Sequence, residues 1–215
     1  MSKLIIGVDE VGVGSIAGPL VVAAVAFTAE TPQPVLSVAR GKRWRQIPIC
    51  DSKKVAHDLL PSFRTLILNQ CVASALLYKL PYEVDKLGAD GARDVAIAIV
   101  VRRVLERIQF LQLVDCAEYI VVLDGDITSP TLEAQGITYH ALPHADRDVW
   151  QVGAASILAK EAQVLYMHRL HKKHPLYGWD HNHGYPTADH VTALRKHGVT
   201  RYHRRSYRTV QEVLS

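Results

Sequence analysis

The chain has 215 residues, 48% of them hydrophobic, and carries a formal net charge of +4 at pH 7. That length suits one domain, or a domain with a helical appendage, and the apolar fraction supplies a full core. No apolar run reaches the ~20 residues of a membrane-spanning helix, and an N-terminus with one early lysine followed by Asp9 and Glu10 is wrong for a signal peptide, so the expectation is a cytoplasmic monomer with no membrane partner.

The first element is an apolar run, Leu4 to Val8, that ends in Asp9 and Glu10 and reads as a buried strand, Leu4–Asp9. The turn Gly12-Val13-Gly14-Ser15 follows, then a second apolar run, Pro19–Phe27, predicted to be its hairpin partner. Thr31–Ile49 holds three prolines and a basic run, Arg40-Gly41-Lys42-Arg43-Trp44-Arg45, and reads as a loop or insertion. The remaining strand-like runs are Ser74–Leu80, Tyr119–Leu123 and Ile137–Leu142. Helices are predicted over Val55–Cys71, Gly91–Leu111, Val152–His171 and Ala188–His197. In Gly91–Leu111 the apolar residues Val95, Ile99, Val100, Val104 and Ile108 recur at helical spacing. A hairpin followed by strand–helix–strand units argues for an α/β fold with a mixed sheet. Three cysteines, Cys50, Cys71 and Cys116, are odd in number and have no CxxC pair, so they form neither a disulfide frame nor a zinc site.

Adjacent carboxylates at a strand end cost desolvation and mutual repulsion unless something offsets both. Taken alone, Asp9 and Glu10 fit either a solvated corner or a site for a hard divalent cation, which prefers oxygen ligands. Ligands of an open α/β sheet bind beyond the carboxyl ends of strands, and Asp124 ends another strand. If the two strands are neighbours, Asp124 faces Asp9. Asp126 competes with it from the turn. Asp146 precedes the predicted helix at Val152, with Asp148 as the weaker alternative. Asp9, Glu10, Asp124 and Asp146 together suit two metal ions roughly 4 Å apart, one activating water and one stabilising the leaving oxygen of a phosphodiester. From Lys160 onward there are ten Lys/Arg against four Asp/Glu, and eight of the eleven histidines. Such a flank suits a polyanion, most plainly nucleic acid, although a solvated basic helix face has the same composition. His181 and His183 lack a matching pair at zinc spacing.

Gly7-Val8-Asp9-Glu10-Val11-Gly12-Val13-Gly14, with Ala17-Gly18-Pro19 after it, resembles the opening motif of the type 2 ribonucleases H, the ribonuclease HII family. Asp51-Ser52-Lys53-Lys54, Glu83-Val84-Asp85, Leu123-Asp124-Gly125, Asp146 with Ala154-Ala155-Ser156-Ile157-Leu158-Ala159-Lys160, Tyr177-Gly178, Gly184-Tyr185-Pro186-Thr187 and His203-Arg204-Arg205-Ser206-Tyr207 continue the resemblance in order. Thr31–Ile49 is the part it accounts for least.

The resemblance implies a ribonuclease H-like mixed five-stranded sheet flanked by helices, with residues 1–165 as the catalytic domain and 166–215 as a basic helical extension completing the substrate groove. It implies cleavage of the RNA strand of RNA–DNA hybrids, and of DNA containing ribonucleotides, to give 5′-phosphomonoester ends. Asp9, Glu10, Asp124 and Asp146 would carry Mg²⁺ or Mn²⁺, with Asp9 touching both ions. Gly12, Val13 and Gly14 would approach a ribose 2′-OH through the backbone, Tyr185 would stack on a deoxyribose, and Lys53, Lys54, Arg204 and Arg205 would meet phosphates. Val13 stands where the family usually has arginine, and His183 where it has lysine. Those two lost cations predict weaker binding or an altered junction preference, as in the ribonuclease HIII branch, which handles single embedded ribonucleotides poorly. A catalytically weak hybrid-binding relative is the further alternative.

Overall fold

The computed structural model describes residues 3–40, 43–111 and 118–215. Its centre is a five-stranded mixed sheet in the order β5-β2-β1-β6-β7. The strands are β1 (Leu4–Val11), β2 (Leu20–Thr28), β5 (Ala73–Lys79), β6 (Tyr119–Asp124) and β7 (Tyr139–Leu142). β1 pairs antiparallel with β2 and β2 with β5, whereas β1–β6 and β6–β7 are parallel. The expected hairpin is present, and β1 and β6 are neighbours, which meets the condition for Asp124 to face Asp9. Parallel neighbours need long crossovers, and helices supply them. Of α1 (Leu60–Gln70), α2 (Pro81–Phe110), α3 (Pro130–Ala134), α4 (Ala145–Asp148) and α5 (Trp150–Lys173), α2 leads from β5 to β6 and α3 from β6 to β7, while α1 precedes β5 and α4 and α5 follow β7. Two short helices, α6 (Trp179–Asn182) and α7 (Ala188–His197), and the terminal α8 (Arg208–Leu214) complete the chain.

Side chains alternate across a strand, and the sequence of β1 uses both faces. Leu4, Ile6 and Val8 join Val22, Ala24 and α2 residues such as Ala96 and Val100 in one core. On the other face, Val21, Ala23, Val25 and Phe27 of β2 pack on Ala154, Ile157 and Leu158 of α5 and on Phe63 and Ile67 of α1. β2 is buried almost throughout, as a strand covered on both sides must be.

Two elements depart from the sequence expectations. Thr31–Ile49 is not a loop throughout: β3 (Val35–Arg40) and β4 (Arg43–Pro48) form a separate antiparallel hairpin. Leu36, Ile47 and Ile49 tie it to the α1–α5 core, an alternation that the prolines and charges masked. Gly41 and Lys42 of the basic run lie outside the described residues, as does Cys116. The helix expected from Gly91 begins at Pro81, ten residues earlier, and is broken at Gly88 (φ 72°). Glu83 caps its start by accepting from the Leu80 N–H at 2.9 Å, and this explains why the Glu83-Val84-Asp85 segment is helical.

The contact that places the site is α5 against β1. A Cβ built on Gly7 would lie 2.3 Å from the carbonyl carbon and oxygen of Gln151 and 2.4 Å from the Val152 nitrogen. Only glycine lets the start of α5 approach the strand this closely. Gly7→Ala is therefore expected to lower stability by about 1–3 kcal/mol, the usual cost of overpacking, and to displace α5. Chemical denaturation of the variant checks this: an unchanged midpoint would show that α5 is free to move away from β1 at little cost.

Candidate active site

On the β6 side the ladder of β1 closes at Val8↔Leu123, and Asp9 and Asp124 are the next residues of the two parallel strands. Residues paired this way share a face, so both carboxylates come out on the α5 side. Asp146 lies on α4, directly before α5, and its backbone N–H donates to Asp124 Oδ1 at 3.3 Å. One carboxylate oxygen from each of Asp9, Asp124 and Asp146 can be chosen so that all three lie within 4.8 Å of one another. Asp9 and Asp146 are buried and Asp124 is half-buried, whereas Asp126 and Asp148 are exposed.

Glu10 does not join that trio. As the neighbour of Asp9 on a strand it leaves from the opposite face, where Arg93 of α2 lies 3.6 Å from its Oε1. The tight grouping thus holds three of the four expected carboxylates, with Glu10 beside them and near enough to Asp9 and Asp124 to repel both. Strand parity was visible in the sequence and forbids the two side chains from sharing a face.

Burial, then repulsion by Glu10 and Asp124, holds the Asp9 carboxyl well above the ordinary carboxylate range. The Ser156 hydroxyl on α5 and the Glu10 N–H, which donates to Asp9 Oδ1 at 2.7 Å, oppose that shift. Asp146 is raised by burial, then by Asp124 and Asp51, with Lys53 partly offsetting them from 3.8 Å. Glu10 is raised by burial and by Asp124, against Arg93. Crowded acids, among which Asp9, Asp146 and Glu10 are raised, with oxygen-only donors form a set that a hard divalent cation would stabilise. The donor chemistry thus fits Mg²⁺ or Mn²⁺. Among the described residues this is the one group of converging metal-ligating side chains, and His181 and His183 form no second one. A cavity of about 580 Å³ beside Arg64, Tyr78, Glu161 and Tyr166 includes none of the carboxylates in its lining.

Asp51-Ser52-Lys53 supports the trio. Asp51 caps the 3-10 turn Ser52–Lys54 by accepting from Lys53 N–H at 2.9 Å. Ser156 Oγ donates to Ser52 Oγ at 2.8 Å. Ser156 thus touches both Asp9 and this turn, a role its place in an alanine-rich helix did not announce.

The turn after β1 is held by the far end of the chain. Ile16 and Ala17 N–H both donate to the Gly184 carbonyl, at 2.8 and 3.2 Å, and a Cβ on Gly184 would lie 2.1 Å from the Ala17 oxygen. Tyr185 is therefore seated beside the Gly12–Gly14 turn. Its carbonyl accepts from His190 Nδ1 at 2.8 Å, and His190 Nε2 accepts from the Trp179 indole at 3.0 Å. In the turn itself, Gly12 is buried at φ 85°, Gly14 is exposed, and the Val13 side chain packs against the α2 core.

Arg204 is not available for a phosphate. It is fully buried, and its guanidinium donates to the Gly18 carbonyl (3.1 Å), the Val13 carbonyl (2.9 Å) and the Tyr207 hydroxyl (2.9 Å). Sequence reasoning placed it with the surface cations because nothing local shows that a carbonyl-lined socket awaits it 186 residues away. Its neighbour Arg205 is exposed, with its N–H on Asp85 at 2.9 Å, and Lys53 is exposed beside Asp146.

A ribonuclease H-like sheet with acids gathered at the ends of β1 and β6 defines a metal-dependent nuclease. The ribonuclease HII family model matches residues 6–210. Ribonuclease HII of Novosphingobium aromaticivorans is 33% identical over 210 residues, covering 97% of both chains. That of Christiangramia forsetii is 30% identical over 208 residues, covering 97% of this chain and 92% of its own. The chain belongs to the ribonuclease HII family. The fold agrees: ribonuclease H2 of Pyrococcus horikoshii superposes with a TM-score of 0.70 at 19% identity, covering 98% of this chain and 96% of that one. Bst-RNase HIII in complex with Mn²⁺ superposes with a TM-score of 0.64 at 18% identity, covering 99% and 70%.

Folded Asp9 keeps its proton to higher pH than the unfolded chain does. The native state then binds more protons between those two pKa values, and without metal its stability falls as pH rises through that window. Asp124→Asn is expected to recover about 1 kcal/mol of metal-free stability at neutral pH by removing a repelling charge. Thermal unfolding in chelator against pH checks both, and a flat profile would contradict the crowding of charges. Arg204→Ala is expected to cost at least about 2 kcal/mol by orphaning the Val13 and Gly18 carbonyls. Arg204→Lys should not rescue it, because an ammonium cannot reproduce the fork. Denaturant midpoints of the two variants decide.

Proposed function

We propose that the chain hydrolyses the RNA strand of RNA–DNA hybrids, and cuts DNA at embedded ribonucleotides, leaving a 5′-phosphate. The observation that carries this reading is the convergence of Asp9, Asp124 and Asp146 within one ion's reach, in a chain of this family. Asp9, Asp124 and Asp146, with Glu10 beside them, would hold the divalent cations, Mg²⁺ or Mn²⁺. Bound there, such ions would lower the pKa of a water nucleophile and stabilise the leaving oxygen.

The rest is done by the chain's own groups. Asp9 is oriented by Ser156 and by the Glu10 N–H, so its oxygens are fixed before substrate arrives. Lys53 lies beside Asp146, exposed and placed for a phosphate next to the scissile bond. The exposed Gly14 leaves room for the backbone to meet a ribose 2′-OH, and a Cβ there would touch nothing within 4 Å. Tyr185 offers its ring to the neighbouring sugar. Residues 166–215 act as the extension that carries Tyr185 and Arg205 to the groove, and α5, which crosses the boundary at 165, joins them rigidly to the catalytic part.

The test is cleavage of a labelled RNA–DNA hybrid in Mg²⁺ and in Mn²⁺. Wild-type protein is expected to cut, and Asp9→Asn and Asp124→Asn to fall to background while remaining folded by circular dichroism. Full activity in either variant would remove the metal assignment. Comparing duplexes with one and with four ribonucleotides tests Val13, which turns inward and offers no side-chain donor. The single-ribonucleotide duplex should be the slower substrate, and equal rates would show that the Gly12 and Gly14 backbone suffices.

A further inference from the structure

Lys160 lies one turn beyond Ser156 on α5, so the two share a helix face with the carboxylate cluster at one end. Its Nζ stands 5.9 Å from the Tyr185 ring centroid. Among the described residues it forms no ion pair with a carboxylate, although it is largely buried and charges in such places are ordinarily paired. What lies around it is a set of imidazoles. His183, buried and held at φ 49°, lies with its ring 5.0 Å from that of His57 and 5.9 Å from that of His168. The Nδ1 of His183 is buried with no hydrogen-bond partner. His57 follows the Ser52–Lys54 turn, and His168 lies two turns after Lys160 on α5, with its Nε2 on the Asp180 carbonyl at 3.0 Å.

The nearby carboxylates do not neutralise this group. Asp58 flanks His57 alone, and Asp180 is occupied by His171 at 3.2 Å and His181 at 2.9 Å. Lys53 adds a further cation on the Asp146 side. Basic groups from the His57 turn, from α5 and from the loop after α6 therefore converge near Lys160 without a counter-charge.

We propose that Lys160, His57, His168 and His183 form an anion subsite for a backbone phosphodiester of the bound nucleic acid, and that its histidines take up protons as the phosphate arrives. The proposal rests on the nucleic-acid reading of the site given above. Burial, then the charge of Lys160 and the other histidines, pushes His183 down to about 4 and lowers His57 as well. Lys160 is lowered by burial and by Lys53. His183 and His57 are thus disfavoured as cations in the free protein, and a phosphate reverses the balance by supplying the missing negative charge. Because the histidine pKa values are higher in the complex, affinity is greatest at low pH and declines as pH rises through the bound-state values.

Fluorescence anisotropy of a DNA duplex carrying one ribonucleotide, in EDTA to prevent cleavage, tests this between pH 5.5 and 8.5. Wild-type Kd should weaken with rising pH, by up to about tenfold per pH unit for each proton linked. His57→Gln with His168→Gln, both exposed positions, should flatten the profile. His57→Lys should tighten binding at pH 8 and also flatten the profile, which a merely structural role for the ring would not produce. A pH-independent wild-type Kd, a slope that survives the double substitution, or an unchanged pH 8 affinity in His57→Lys would each overturn the subsite. Wild-type cleavage of the hybrid in Mg²⁺ is scored separately. Its absence would sink the nuclease reading, while the binding profile would still decide the subsite.

Discussion

The seat of α5 on β1 is the constraint from which the site follows. Gly7 removes the side chain that would hold the helix away, and Gly153 lets the start of the helix close on α4 and the Cys50 backbone, where a Cβ would lie 3.0 Å from the Asp146 oxygen and 3.2 Å from the Cys50 carbonyl carbon. With the helix pressed down, Ser156 reaches Asp9 and Ser52 at once. Asp146, fixed just before the helix, is delivered to Asp124. A looser packing would leave three acids on separate elements, each free to stay hydrated and apart.

The same helix separates two kinds of electrostatic cost. At its start stand carboxylates that repel one another and favour a cation. A turn after Ser156 stands Lys160, among histidines that lack an anion. A divalent metal at one place and a phosphodiester at the other would relieve both, and an RNA–DNA duplex with its metals brings the two together. Crowded carboxylates at one place and basic groups without an anion at the other are each unfavourable in the protein alone, and such arrangements cluster at binding surfaces.

The chain's ends are coupled through the turn at Gly12–Ala17. The Gly184 carbonyl and the Arg204 guanidinium grip its two sides, and a core of Ile16, Ala17, Met167, Trp179 and Leu194 fills the space between. Tyr185 and the glycine turn are therefore set relative to each other by backbone hydrogen bonds and not by a flexible linker. Residues 166–215 lend their own hydrophobic residues to the segment after β1, so their packing and the shape of the groove depend on each other.

By itself, the sequence determined the β1–β2 hairpin, the strand β6 and the principal helices α1, α5 and α7, and it singled out Asp9, Asp124 and Asp146 as candidates, because periodicity and strand-end carboxylates are local features that survive in one dimension. It misplaced the β3–β4 hairpin, whose apolar anchors Leu36, Ile47 and Ile49 are diluted by proline and arginine. It also began α2 too late, because Gly88 interrupts the helical pattern. Only the tertiary structure decided that Glu10 turns away to Arg93, that Arg204 is an internal brace, and that Lys160 and three histidines meet without a counter-ion. The reason is common to all of these: whether a charge is solvated, paired or left waiting for a ligand depends on which distant elements close around it. That is set by the packing of the sheet, α5 and the C-terminal segment, and not by the charge's neighbours along the chain.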